Sequence, residues 1–193
     1  GFAPKLAARI KGAEVLVQSA NSDDARQVQD CESLISSGVD VLVIVPHNGD
    51  AMAKAVAAAK TAGIPVISYD RLITGADVDV YLSFDNVRVG ELQAQYLVDK
   101  LKGKGSIIRI YGSPTDNNAG GFKAGAHSVI DDSGYPILAE FDTPDWSPDK
   151  AQDWVASQIT QFSGGIAAVY AANDGTASGA IAALHAANVS PSP

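Results

Sequence analysis

Short apolar runs alternate with amphipathic or alanine-rich segments along most of the chain. The runs, rich in Val, Ile and Tyr, predict strands at 13–20, 39–46, 65–69, 80–85, 105–113, 136–142 and 166–172. Helices are predicted at 1–11, from the capping residues 21–23 to about 36, and at 50–61, 86–103, 118–131, 147–162 and 176–187. Strands that alternate with helices in this way predict parallel sheets with helices on both faces, an α/β fold.

The segment 86–103 has the clearest amphipathic pattern. We predict that its apolar face is formed by Val87, Leu92, Tyr96, Leu97 and Leu101. Just before it, the strand at 80–85 leads directly into the helix, and a Gly- and Lys-rich turn follows it. The seven strands fit either one sheet or two lobes joined near Asp85 and Asn86, and the spacing alone does not decide.

Polar side chains collect where the predicted strands end. The buried strand of Ile64–Arg71 ends in Asp70 and Arg71, and later strands are followed by Asp116, Asn118, Trp146 and Asn173. Ligands of open parallel sheets bind beyond the carboxyl ends of the strands. Carboxylate, amide and guanidinium groups make paired hydrogen bonds to neighbouring hydroxyls, and a Trp face packs on the C–H face of a pyranose. This combination indicates a sugar site.

Each of these residues also has an ordinary structural explanation. Asp70 and Arg71 fit a surface ion pair in a loop. Asp116, Asn118 and Asn173 are placed where helices begin, where Asp and Asn commonly cap the helix. Trp146 lies in a polar loop and has no obvious core role, whereas Trp154 fits a core position on a helix.

Charge and composition exclude several kinds of protein. The net charge of −8 argues against nucleic acid as a partner, because phosphate binding requires clustered Lys and Arg. The longest apolar run falls well short of the ~20 residues of a membrane span. Cys31 is the single cysteine, so it has no partner for an internal disulfide, and we expect it to face the sheet from a helix.

An enzyme is a competing interpretation that the residues disfavour. A glycosidase would use two carboxylates, drawn here from Asp70, Asp116 and Asp145. Each of these acids lies near an Arg or an amide that favours its charged form, whereas a general acid must stay protonated. The sequence also lacks G-x-S-x-G, a P-loop and metal-spaced histidines. We therefore expect no catalysis, no cofactor and no metal.

Several strings resemble one family of binding proteins. These are VQSAN, GVDVLVIVPHNG, IPVISYDRLI, YLSFDNVRVGELQA, GSPTDNNA and AANDGTASGAI, spread over residues 13–187. They resemble the ribose-type (type I) periplasmic sugar-binding proteins, among them the D-xylose-binding proteins of ABC transporters. The combination is far more specific than any one string.

The resemblance implies two Rossmann-like lobes that clamp one monosaccharide, most simply D-xylose, and deliver it to an ABC permease. The lobes would be residues 1–85 and 86–193, with the first crossover near 84–86. The ligand contacts would be Asp70, Arg71, Asp116, Asn118, Trp146 and Asn173. The protein would be periplasmic, or extracellular and membrane-anchored. The alternative is a sugar-sensing domain that signals through a membrane histidine kinase. A LacI-type repressor is disfavoured because no basic DNA-binding segment is present.

The chain also departs from the pattern of this family at both ends. Family members begin with a strand that would precede 1–11 here, and they continue beyond the helix that ends near 188. We therefore expect each lobe to be incomplete, with the first lacking its first strand and the second lacking its last strands. Such gaps leave backbone groups unpaired, which strand exchange, a partner chain or a different fold would have to satisfy.

Overall fold

The computed structural model describes residues 12–189, which divide into two compact units. The first unit comprises the described residues up to Tyr69 together with Ile73–Leu82, and the second comprises Asp70–Leu72 and the described residues from Ser83 onward. The predicted helix over 1–11 lies outside the described residues. No helix within 12–189 is long and apolar enough to cross a bilayer.

The first unit is a parallel three-stranded sheet with two helices. Its elements are α1 (Asp24–Ser36), β1 (Leu42–Ile44), α2 (Ala53–Thr61), β2 (Val66–Tyr69) and β3 (Val80–Leu82). The strands lie in the order β1-β2-β3, with Leu42 paired to Val66 and Ile67 to Val80. Asp23 caps α1 by accepting a hydrogen bond from the Arg26 amide, as the sequence predicts.

One face of this sheet carries the core of the first unit. Leu42, Ile44 and Val66 are buried against Val56 and the alanines of α2. Cys31 is buried in the same cluster, which confirms that it faces inward from a helix. Burial is the main reason that the pKa of its thiol rises to about 11, because a thiolate loses its hydration there.

The strand predicted over 13–20 is wrong. These residues form no regular structure, and Leu16 and Val17 are 47% and 66% exposed. A β-strand exists only where a neighbouring strand accepts and donates the ladder hydrogen bonds. Among the described residues none pairs with 13–20, so an apolar β-type sequence alone does not make it a strand.

The second unit is a parallel three-stranded sheet with helices on both faces. Its elements are α3 (Asn86–Leu101), β4 (Ser106–Tyr111), α4 (Asn117–Ile130), β5 (Ile137–Asp142), α5 (Pro148–Phe162), β6 (Ile166–Ala171) and α6 (Asp174–Ala186), with 3₁₀ turns at Asp131–Ser133 and Pro144–Trp146. The strand order is β5-β4-β6, with β4 in the centre. Together the two units confirm the predicted α/β class with parallel sheets.

The central strand β4 sends alternate side chains to two cores. Ile107 and Tyr111 pack on the side of α3 and α4, whereas Ile108 and Ile110 pack on the side of α5 and α6. All four side chains are completely buried, as expected for a parallel strand that is covered on both faces. Trp154 of α5 stacks on Phe141 at a centroid distance of 5.3 Å, so its predicted core role is confirmed.

The predicted apolar face of α3 is only partly correct. Leu97 and Leu101 pack against the core, but Val87, Leu92 and Tyr96 are 43–65% exposed. The buried face instead carries Gly90 and Ala94, because α3 lies unusually close to α4. A Cβ on Gly90 would lie 2.9 Å from the Phe122 carbonyl carbon, so only glycine allows this approach. Size rather than hydropathy determines which face turns inward.

Candidate functional site

All six predicted contact residues belong to the second unit, and they follow four different strands of the chain. Asp70 and Arg71 come directly after β2, in the short segment that is part of the second unit. Asp116 and Asn173 are the N-caps of α4 and α6, Asn118 is in the first turn of α4, and Trp146 ends a 3₁₀ turn after β5. The structure brings Asp70, Arg71, Asp116, Asn118 and Trp146 into one hydrogen-bonded group, which we call the strand-end network.

Asp116 is the centre of this network. One carboxylate oxygen, Oδ1, accepts a hydrogen bond from the Asn118 amide at 3.0 Å and so caps α4. The other, Oδ2, accepts from the Trp146 indole Nε1 and from Arg71 Nε, both at 2.9 Å. Only 2% of the Asp116 side chain is exposed, and 24% of that of Arg71. Both oxygens of Asp116 are therefore bound to protein groups.

Asn118 connects the other half of the network. Its side-chain nitrogen donates to the Asp70 backbone carbonyl at 3.0 Å, and its side-chain oxygen accepts from Asn86 Nδ2 at 2.8 Å. Asp70 has φ of +66°, a left-handed backbone conformation that residues other than glycine rarely adopt. The hydrogen bond from Asn118 holds this backbone in place. The Asp70 carboxylate lies at the edge of the network, 3.5 Å from the Asn118 nitrogen.

Trp146 is held from several sides. Its backbone and that of Asp145 are in the left-handed region, with φ of 56° and 60°. The ring lies against the bare Cα of Gly112 and meets Phe122 edge-on at 6.2 Å. With the bond from its Nε1 to Asp116, these contacts leave the ring half-buried in one orientation.

Asn173 caps α6 and is exposed. Its side-chain oxygen accepts from the Thr176 amide at 2.8 Å and from the Thr176 hydroxyl at 2.9 Å. Within residues 12–189 its side-chain nitrogen has no hydrogen-bond partner. The side-chain oxygen of Asn173 therefore serves as the helix cap, whereas a role in ligand binding would fall to its side-chain nitrogen.

Sequence reasoning missed two members of this site, Asn86 and Gly112. Asn86 begins α3 and lies in the resembling string YLSFDNVRVGELQA, but only the fold shows that it contacts Asn118. Gly112 follows β4 directly, and a glycine between an apolar strand and a polar loop is the one sequence signal that indicated a close approach.

Two carboxylates near the site bond to cationic side chains, and the described residues contain no group placed to hold a metal ion. Across the described range, no group of three or more His, Cys, Asp and Glu residues is placed to hold a metal ion. Asp145 bonds Lys150 at 2.8 Å, and Asp116 is paired with Arg71. In both contacts the carboxylate oxygens accept hydrogen bonds from cationic side chains of the protein.

Comparisons with known proteins agree on one family. Residues 3–193 match the family described as periplasmic binding protein domain. The chain is 43% identical over 187 residues to a D-xylose-binding periplasmic protein of Haemophilus influenzae and 44% identical over 183 residues to that of Escherichia coli. A solved solute-binding protein of an ABC transporter from Clostridium phytofermentans, with bound β-D-glucose, is 35% identical with a TM-score of 0.88.

These matches cover nearly the whole chain but only part of each relative. The alignments span 95% and 93% of the chain, yet 56% and 55% of the two D-xylose-binding proteins. The solved structure is covered over 62% of its length, from 95% of the chain. The chain thus spans little more than half the length of these relatives.

Proposed function

The chain belongs to the periplasmic binding protein domain family, and on that premise we propose that it contributes the binding site for a monosaccharide, D-xylose. The sugar would be captured without covalent chemistry, for delivery to an ABC permease. Two D-xylose-binding relatives above 40% identity support this choice of sugar. The same relatives are periplasmic by name, which supports a periplasmic location.

The observation that carries the proposal is the strand-end network. Five of the six residues chosen from the sequence meet in one hydrogen-bonded group, although up to 76 positions separate them along the chain. We propose that the Asp70 carboxylate, the Arg71 guanidinium and the Asn173 amide bind sugar hydroxyls, and that the exposed part of Trp146 packs on the ring. Asp116 and Asn118 would hold these groups in place through their hydrogen bonds to Arg71, Trp146 and the Asp70 backbone.

Binding rather than catalysis is supported by the state of the carboxylates. Asp116 is buried with both oxygens occupied, so it has no position from which to protonate a leaving group. The two D-xylose-binding relatives are by name binding proteins, which is consistent with this.

The experiment is isothermal titration calorimetry of this chain with D-xylose, D-ribose and D-glucose. We expect selective binding of D-xylose, and at least a tenfold loss in Asp70→Asn, because one carboxylate-to-hydroxyl pair is then lost. Asp153→Asn, on the exposed side of α5, is the matched control and should bind like the unchanged chain. Absence of heat with all three sugars would refute sugar binding by this chain, and an equal loss in both variants would refute the role of Asp70.

A further inference from the structure

We infer that Gly112 is a positioning residue for Trp146: the missing side chain at position 112 lets the indole lie flat at the site. As a statement about sugar selectivity, this inference rests on the proposed function. As a statement about the ring, it stands on the geometry alone.

The contact between Gly112 and Trp146 leaves no space for a methyl group. A Cβ at position 112 would lie 2.5 Å from Cε2 of the indole, and closer still to Cζ2 and Cη2. Three atoms of one aromatic ring would be inside van der Waals distance at once. Gly112 is not in the left-handed region, so its backbone suits alanine, and the three heavy atoms nearest to such a Cβ all belong to the indole.

The ring cannot escape this obstruction by a small tilt. Its Nε1 donates to Asp116 Oδ2 at 2.9 Å, and Phe122 meets it at an angle of 68°. The Trp146 backbone is fixed by a hydrogen bond from its amide to the Thr143 carbonyl at 3.1 Å. A methyl group at position 112 would therefore lift the ring and lengthen or break the bond to Asp116.

A fixed flat ring favours a particular class of ligand. Packing on an indole face requires a sugar ring with a face of C–H groups free of axial hydroxyls. The β-pyranose of D-xylose has only equatorial hydroxyls, whereas its open-chain reduction product, xylitol, presents no such rigid face. The rigid placement of Trp146 by Gly112 should therefore increase the preference for the cyclic sugar over the polyol.

The test labels the two tryptophans, Trp146 and Trp154, with 5-fluorotryptophan and records ¹⁹F NMR spectra of the chain. Trp146→Phe assigns the signals. In Gly112→Ala we expect the Trp146 signal to move or broaden while that of Trp154, which stacks on Phe141, stays in place. The matched control is Gly120→Ala on α4, where a Cβ meets nothing within 4 Å and neither signal should move.

Calorimetry with D-xylose and xylitol then tests selectivity. We expect Gly112→Ala to weaken D-xylose binding by about 3- to 10-fold, the range for loss of one aromatic contact, with less than a twofold change for xylitol. Equal weakening of both ligands would overturn the selectivity argument. If the unchanged chain binds neither ligand, the proposed sugar function fails, and the ¹⁹F spectra still decide the role of Gly112.

A second variant covers the case in which Gly112→Ala alone does not fold. Trp146→Ala removes the obstruction, so Gly112→Ala combined with Trp146→Ala should fold and melt like Trp146→Ala alone. An unmoved Trp146 signal in a folded Gly112→Ala variant would overturn the inference. Failure of Trp146→Ala to restore folding would also overturn it.

Discussion

Replacement of Asp116 by Asn tests the centre of the strand-end network directly. The carboxylate accepts three hydrogen bonds on two oxygens, from the Asn118 amide on one side and from Trp146 and Arg71 on the other. An asparagine offers a single oxygen, so one side of the side chain becomes an NH₂ group that faces a donor. The variant loses either the helix cap or the pair of bonds to Trp146 and Arg71.

The loss can be estimated from these bonds. A helix cap contributes about 1 kcal/mol, and a hydrogen bond to a charged group about 1.5–3 kcal/mol. Asparagine will take the orientation that costs less, which loses the cap at about 1 kcal/mol, while the bonds from Trp146 and Arg71 then go to a neutral oxygen and weaken by about 1–2 kcal/mol in total. We therefore expect Asp116→Asn to lower the free energy of unfolding by about 2–3 kcal/mol. With a urea slope of about 2 kcal/mol/M, the midpoint of denaturation moves down by roughly 1 M.

The assay is urea denaturation followed by tryptophan fluorescence. The control is Asp142→Asn, since Asp142 pairs with Lys123 at 2.9 Å but is 45% exposed. We expect it to cost less than about 1 kcal/mol, because exposed ion pairs are screened by solvent. A loss below about 0.5 kcal/mol in Asp116→Asn would show that the carboxylate is not the centre of the network.

Three further predictions concern packing and titration. Gly90→Ala should destabilise the chain by about 1–2 kcal/mol in urea melts, because the clash with α4 outweighs the gain in helix propensity. The control Gly120→Ala should be neutral or stabilising. Equal effects of the two substitutions would refute close packing of α3 on α4. Burial raises the pKa of Cys31 to about 11, so little of the reactive thiolate is present at pH 8. Cys31 should therefore react with Ellman's reagent at that pH at least about 100-fold more slowly in the native chain than in urea. A fast reaction of the native chain would contradict this. Burial acts to raise the pKa of Asp131, but hydrogen bonds from His127 and Arg109 outweigh it and leave the pKa below its usual value. The stability that the charged Asp131 contributes is therefore present above about pH 4 and is lost as the pH falls below that. Asp131→Asn should flatten this part of a stability-against-pH profile, and an unchanged profile would contradict the assignment.

Much of the fold could be predicted because local signals and tertiary packing agree. Asp23 supplies a capping oxygen where α1 begins, and Gly38 takes the left-handed conformation just beyond its end. The prediction of a strand at 13–20 was wrong, because its composition favours β-structure but a strand also needs a neighbouring strand to pair with, which can lie far away in the sequence. The prediction of the buried face of α3 was only partly correct for a related reason, since Gly90 faces inward only because α4 packs against it.

The polar side chains of the site differ in how much of their hydrogen-bonding capacity the protein itself uses. Sequence position places Asp116 and Asn173 alike, as polar residues that cap a helix after a strand. In the structure, Asp116 is buried and both of its oxygens accept from protein donors, three in all. Asn173 is exposed, and within residues 12–189 it bonds to protein groups through its side-chain oxygen alone. Hydrogen-bonding capacity that the protein does not use itself is what a polar ligand such as a sugar needs. By this criterion we propose that Asn173 binds the ligand and that Asp116 positions other groups. This difference depends on Trp146 and Arg71, which lie 30 and 45 residues away from Asp116 along the chain.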